Sequence, residues 1–252
     1  MKSTLETLLF VAMSFMAFNV AGQEMSGSES LSHFNKIVVS PRVSIILQKG
    51  DKESIRMIYN DIPKNKVNVI VKGNKLRIYL DHARITERQV RNITINNNSN
   101  KHGIYEGSSI TAYVTYTDLK SIEIRGEGEI RCDSMITAQK FKVKAYGENE
   151  IHLASVITTK FKATLFGQND FKILAGSTDH QTYRLFGENK VDTRGFKSEI
   201  ASTRIYGEGK ISVYASEAVR INALGESTIY IEGTPMISKR IILGRTSVRV
   251  NR

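Results

Sequence analysis

Four nearly identical seven-residue segments, spaced 20 residues apart, constrain the fold of this chain more than any other feature. They read AYGENEI from Ala145, LFGQNDF from Leu165, LFGENKV from Leu185 and IYGEGKI from Ile205. Their glycines belong to a longer column at positions 126, 147, 167, 187, 207, 225 and 244, with steps of 18–21 residues. A period in this range is typical of a solenoid, in which each repeat stacks on the one before it.

Apolar residues stand at fixed offsets from each glycine and alternate with polar neighbours. The column two residues before the glycine holds Ile124, Ala145, Leu165, Leu185, Ile205, Ala223 and Ile242. The column four residues after it holds Ile130, Ile151, Phe171, Val191, Ile211, Ile229 and Val248. Because strand side chains alternate between two faces, this spacing predicts strands with one buried face.

Asparagine or glycine recurs two residues after most of the column glycines. Gly128, Asn149, Asn169, Asn189 and Gly209 occupy this position. Both residue types tolerate left-handed backbone at a sharp bend, and stacked asparagines can bond side chain to side chain. The sequence therefore predicts an all-β fold, a parallel β-helix of about seven coils of 18–21 residues. A β-propeller needs about twice this period, and the leucine-rich repeat frame is absent.

The rest of the chain divides into segments of different character. We expect a signal peptide at 1–22, because Lys2 precedes an apolar run from Leu8 to Phe18 and small residues follow. A flexible segment at 23–33 would lead into β-strands over 34–109, which cap or extend the solenoid of residues 110–252. A hairpin turn is predicted at Lys72–Lys75 and a long polar loop near 83–107.

Export and charge restrict the function classes. We expect an exported protein, located in the periplasm, at the cell surface or outside the cell, with no membrane span after signal cleavage. The net charge of +11 suits an anionic polysaccharide or lipopolysaccharide, and export argues against nucleic acid. Cys132 is the single cysteine, so we predict a small buried apolar residue and no internal disulfide.

Two stretches resemble the GIN (head) domain family of bacterial exported auto-transporter adhesins. FNKIVVSPRVSIILQKGD, from Phe34, resembles the start of the family, and DLKSIEIRGEGEI, from Asp118, resembles its glycine signature. The family normally repeats Gly-Ala-Gly-Asp, whereas Glu or Gln replaces the Ala here. The resemblance covers about residues 34–250 and implies a right-handed β-helix, a cell-surface or periplasmic location, and no catalytic residues.

The position after each glycine forms an acidic row. It holds Glu127, Glu148, Gln168, Glu188, Glu208, Glu226 and Arg245. Such a row could hold Ca²⁺ or supply a glycosidase carboxylate pair, but a cation site needs six or more converging oxygens. We expect instead a solvated row of turn residues. No metal site, cofactor or catalytic residue is predicted, and the protein is not expected to be an enzyme.

The position before each glycine forms an aromatic column flanked by basic residues. The candidate binding residues are Tyr146, Phe166, Phe186, Tyr206, Lys144, Arg184 and Arg204. Lys142 and Lys162 stand four residues before the first two aromatics. The column is either an exposed surface that binds glycans or a protein by stacking and charge, or a packing stack that is covered.

The leading functional hypothesis is a non-enzymatic exported binding or adhesion module that contacts a cell-surface glycan or a partner protein. A self-assembling envelope protein, and hence a homo-oligomer, is the alternative. A polysaccharide-acting enzyme is the third reading.

Overall fold

The computed structural model describes residues 23–93 and 99–251. Strands dominate this part of the chain, which contains one short 3₁₀ turn at Lys64–Lys66 and no α-helix. The first ten strands are β1 (Gln23–Met25), β2 (Glu29–Ser30), β3 (Lys36–Val39), β4 (Val43–Lys49), β5 (Ser54–Asn60), β6 (Val67–Lys72), β7 (Lys75–Leu80), β8 (Gln89–Ile93), β9 (Ser99–Gly103) and β10 (Ser109–Tyr116). The remaining strands are β11 (Ser121–Thr193), β12 (Phe196–Tyr214), β13 (Ala218–Glu232), β14 (Met236–Leu243) and β15 (Thr246–Asn251).

The repeat region forms a parallel stack, as predicted. The long strand β11 passes through several bends, pairs in parallel with β12, and β12 pairs in parallel with β13. The register places Leu185 beside Ile205 and Ile205 beside Ala223, so the columns of the sequence are columns of the structure. The all-β solenoid is therefore confirmed.

The solenoid has about four turns, and the prediction of seven coils is wrong. The prediction counted every column glycine as one regular coil. At the first of them, a Cβ on Gly126 would meet Pro41 of the N-terminal segment, so this bend borders a different structure. At the last, the coil divides into β14 and β15, where Met236 and Leu243 are exposed. The uniform repeats lie between these ends.

Each bend turns at the column glycine, where the backbone is left-handed. The seven column glycines have φ between 84° and 121°. The Asn position two residues later was predicted to share this conformation, and that prediction is wrong, because Asn149, Asn169 and Asn189 are not among the residues with positive φ. Glycine is needed for a second reason: a Cβ on Gly187 would lie 2.6 Å from the carbonyl oxygen of Gly167.

The asparagines form a buried ladder inside the bend. Asn149 donates from its side-chain amide to Asn169 Oδ1 at 2.9 Å, and Asn169 donates to Asn189 Oδ1 at the same distance. Asn169 and Asn189 also donate to the carbonyl oxygens of Phe166 and Phe186. The predicted side-chain bonding between stacked asparagines is confirmed. It satisfies the buried amides of Asn169 and Asn189, whereas Asn149 Oδ1 accepts no hydrogen bond within the described residues.

The predicted core columns are buried along the uniform repeats. Ile151, Phe171, Val191 and Ile211 are each at most 1% exposed. At the C-terminal end Val248 is only partly buried, and Val250 is exposed. Cys132 is buried as predicted, and burial raises the pKa of its thiol.

The N-terminal segment joins the same sheet. Strands β3 and β4 pair in parallel with β11, and β10 pairs in parallel with β4. Strand β7 pairs in parallel with β3, whereas β6 pairs antiparallel with β7 and β5 antiparallel with β10. The hairpin turn at Lys72–Lys75 is confirmed, with Gly73 and Asn74 both at φ 58°.

Two other segments differ from the sequence prediction. The segment 23–33, predicted to be flexible, contains β1 and β2, which pair antiparallel with β5. The polar loop predicted near 83–107 contains β8 and β9, a two-stranded antiparallel sheet. Neither had an alternating apolar pattern to reveal it. The predicted signal peptide at 1–22 lies outside the described residues.

Truncation of Phe171 tests the core register. The ring is fully buried, so Phe171→Ala should lower the free energy of unfolding by about 3–5 kcal/mol. Urea denaturation followed by circular dichroism measures this loss. Leu174→Ala, three residues further along β11 and 67% exposed, is the control and should change stability by less than about 0.5 kcal/mol. Equal losses in the two variants would contradict the register.

Candidate functional site

The aromatic column forms a continuous ladder on the outer face of the solenoid. The ring centroids of Tyr146 and Phe166 are 5.1 Å apart, those of Phe166 and Phe186 4.5 Å, and those of Phe186 and Tyr206 4.9 Å. Interplanar angles of 3–5° make the rings nearly parallel. One ring per turn at about the strand spacing explains the distances.

The ladder combines features of the two alternatives raised by the sequence, an exposed binding surface and a covered packing stack. The rings point away from the core, because the preceding residues Ala145, Leu165 and Leu185 are the buried ones. Yet the first three rings are only partly exposed, since each covers the face of the next. Tyr206 is the most open, at 38% exposure. The edges of the rings, not their faces, are therefore presented to solvent.

Different groups lie at the two ends of the ladder. The guanidinium carbon of Arg125 lies 5.4 Å from the centroid of the Tyr146 ring, and Arg125 also hydrogen-bonds Glu123. Beyond it is an open cavity of about 610 Å³, which Arg42 and Ile85 also line. At the other end, Leu224 is the strand partner of Tyr206. The aromatic surface thus runs from a pocket lined by ion-paired arginines and glutamates to an aliphatic residue.

Two columns of basic side chains flank the ladder. The nearer contains Lys144, Arg184 and Arg204, and Arg184 is the direct strand partner of Arg204. The farther contains Lys142 and Lys162. Burial, and then the charges of Arg184, Lys142, Lys144 and Arg204, lower the pKa of the Lys162 ammonium. The other four cations therefore lie close enough to Lys162 to repel its ammonium group.

Within residues 23–93 and 99–251, these five cations have no carboxylate partner closer than 4.0 Å. The buried Nε of Arg184 also lacks a hydrogen-bond acceptor. Two cations on the strands after the bend are paired: Lys190 lies 3.0 Å from Asp170, and Arg194 lies 2.7 Å from Asp192. We call the seven residues predicted from the sequence, together with Lys142 and Lys162, the ladder face.

The acidic row lies at the bend, along a separate open groove of about 840 Å³. Its side chains are exposed, and Gln168 lies 3.4 Å from Glu188, a long hydrogen bond. Arg42 pairs with Glu127 at one end and Arg245 with Glu226 at the other. Among the described residues no three His, Cys, Asp or Glu side chains converge to hold a metal ion. The absence of a metal site stays a prediction.

A family profile for "Putative auto-transporter adhesin, head GIN domain" matches residues 33–235. The chain belongs to this family. The resemblance noted in the sequence is thereby confirmed. No curated protein matches the chain. None of the helices in the described part is long and apolar enough to span a membrane.

Solved structures share the fold of this GIN-domain protein. A protein described as a "putative adhesin", from Bacteroides fragilis, is 19% identical, with a TM-score of 0.68 over 92% of this chain and 98% of its own. A second protein with that description, from Parabacteroides merdae, is 10% identical, with a TM-score of 0.61 over the same shares. A protein from Parabacteroides distasonis named as lipid binding is 16% identical, with a TM-score of 0.58 over those same shares. At these identities the likeness shows the fold alone.

The sequence placed the ring column correctly but missed the pocket at its Arg125 end. Arg125 occupies the position before Gly126, the same column as the rings, so its place was readable from the repeat. The contribution of Arg42 and Ile85 was not readable, because it depends on how the N-terminal segment folds against the first bend.

Removal of one charge from the Arg184–Arg204 pair should stabilise the free protein. Like charges that are direct strand partners repel, so Arg204→Gln should raise the free energy of unfolding by about 0.2–1 kcal/mol at low salt. The gain should shrink in 0.5 M NaCl because the ions screen the repulsion. Arg194→Gln, which removes an ion-paired cation, is the control and should give no gain. A stability loss for Arg204→Gln in chemical denaturation would contradict the repulsion.

Proposed function

We propose that this GIN-domain protein is an exported, non-enzymatic binding module that contacts a cell-surface glycan or protein through the ladder face. The observation that carries the proposal is the outward-facing stack of four rings beside cations that lack carboxylate partners. Contiguous apolar surface rimmed by polar groups marks interaction sites on soluble proteins. Membership of a family named for adhesins supports the same function.

The geometry determines which contacts the ladder face can make. Each internal ring face is covered by a neighbouring ring at 4.5–5.1 Å, so a sugar cannot lie flat on Phe166 or Phe186. The sequence-based expectation of stacking therefore gives way to contact with ring edges. Charged and hydrogen-bonding contacts come from Lys144, Arg184 and Arg204, whose side chains are on the same outer face.

A rigid scaffold supports this use of the surface. The rings lie on strands whose inner side chains are fully buried, so their positions are fixed by the core and by the asparagine ladder. A preorganised surface loses little conformational entropy on binding. We propose further that the solenoid is right-handed and that the antiparallel strands β5, β6 and β7 cap its N-terminal end.

The enzymatic and self-assembly alternatives have less support. The acidic groove holds side chains that are exposed to solvent, and no convergent acid or metal cluster is found in the described part of the chain. The family and the neighbouring folds do not favour a self-assembling envelope protein. Binding without turnover accounts for a surface that carries rings and cations.

Truncation of the most exposed ring tests the proposed function. Tyr206→Ala should weaken binding to any ligand found on a glycan array or on fixed bacterial cells by about tenfold, because the loss of one anchoring contact costs about 1.4 kcal/mol. Tyr230→Ala is the matched control, an aromatic residue on β13 outside the ladder, and should bind like the wild type.

Melting curves of both variants separate folding from binding. Equal affinity of Tyr206→Ala and Tyr230→Ala for the ligand, with both proteins folded, would refute the ladder face as the contact surface. Release of oligosaccharide fragments from a bound glycan would refute the non-enzymatic assignment.

A further inference from the structure

We propose that the ligand of the ladder face is a polyanionic polysaccharide, one that carries carboxylate or sulfate groups at regular intervals. This inference rests on the proposed function and specifies its ligand. Cations from both columns, including Lys142 and Lys162, would bind the anionic groups.

The first argument is the electrostatic cost of the free surface. Arg184 and Arg204 are direct strand partners, and like charges in this position are destabilising. Repulsion from neighbouring cations reaches Lys162, and the buried Nε of Arg184 has no acceptor. An anion placed between the columns would relieve the repulsion. Binding of a negatively charged ligand would therefore reduce the repulsion that is present in the free protein.

The second argument is the distribution of acids along the solenoid. In the two flanking columns, from Ser121 to Asn222, the only acid is Glu123, which already bonds Arg125. On the strands that follow the bend, Asp170 and Asp192 pair with cations of the same or the next turn. The ladder face therefore differs from the strands after the bend in having almost no acids within its own columns.

The third argument comes from the rings themselves. An aromatic ring has a negative face and a positive edge. In the stack, neighbouring rings cover each other's faces, so each ring presents one edge to solvent. The ladder therefore presents a row of weakly positive edges beside full positive charges, and both favour the same sign of ligand.

The covered ring faces also favour a polysaccharide over a nucleic acid. Single-stranded nucleic acid binds to basic grooves largely by stacking its bases on exposed aromatic faces. Here the internal faces are occupied, which removes that contribution. A charged polysaccharide needs only anionic groups that reach the cations, and repeating units match a surface that repeats with each turn of the solenoid.

The test compares four probes with the full mature chain. Heparin presents sulfates, polygalacturonate presents carboxylates, dextran is the neutral control, and poly(dT) tests the nucleic-acid alternative. Binding is measured by isothermal titration at 50 mM and 300 mM NaCl. We expect at least one of the two acidic polysaccharides to bind at least tenfold more tightly than dextran and poly(dT), with a further loss of tenfold or more at the higher salt.

Matched double variants locate the site. Arg184→Gln with Arg204→Gln should weaken binding of the acidic polysaccharide at least tenfold. Arg131→Gln with Arg194→Gln removes the same charge from ion-paired positions and should change affinity less than twofold. The first variant should also melt no lower than the wild type, since it relieves repulsion.

The outcomes distinguish the inference from the proposed function. Dextran binding as tight as heparin and polygalacturonate, and lost in Tyr206→Ala, would overturn the polyanion while leaving the ladder face as a binding surface. Acidic polysaccharide binding that is equal in the two double variants would overturn both. Preference for poly(dT), or no binding of any acidic probe, would overturn the polyanionic polysaccharide.

Discussion

The backbone of each bend lies directly on the backbone of the bend before it, and the rest of the structure depends on this contact. At the seven column glycines φ is positive, and from Gly147 onward a Cβ on each would strike the carbonyl oxygen of the preceding column glycine. Any other residue would separate the turns or force the backbone from this conformation. Stacked glycines therefore fix the register, and the register fixes which side chains become neighbours.

One register produces both the interior and the exterior. Inside, it aligns Asn149, Asn169 and Asn189 into a hydrogen-bonded ladder and stacks apolar residues into a buried core. Outside, it brings four rings into contact and places Arg184 beside Arg204. The first arrangement stabilises the fold, whereas the juxtaposed arginines oppose it. The outward rings beside these arginines are the reason that the functional proposal is placed on the ladder face.

Much of the solenoid was readable from the sequence because each column repeats the same physical requirement. Ile151, Phe171 and Val191 occupy the same position in successive repeats and are all buried in the core. Once the register of one repeat is known, the burial of all three is predicted. The ends were not readable, because there the neighbour is not another repeat: β3 and β4 pair with the first turn, and Met236 is exposed on the last. The ring column was found, but its ring-on-ring geometry was not, since outward alternation does not tell whether faces or edges meet solvent. The binding role of the column remains a prediction.

The most direct measurement is the free energy of unfolding of Gly187→Ala. An added Cβ would lie 2.6 Å from the carbonyl oxygen of Gly167, at a residue with φ of 93°. The strained backbone alone should cost about 1–3 kcal/mol, and the clash should add to it. Gly27→Ala, where nothing lies within 4 Å of the new Cβ, is the control and should change stability by less than about 0.5 kcal/mol. A Gly187→Ala variant as stable as Gly27→Ala would contradict the claim that contact between stacked glycines sets the register of the fold and of its outer face.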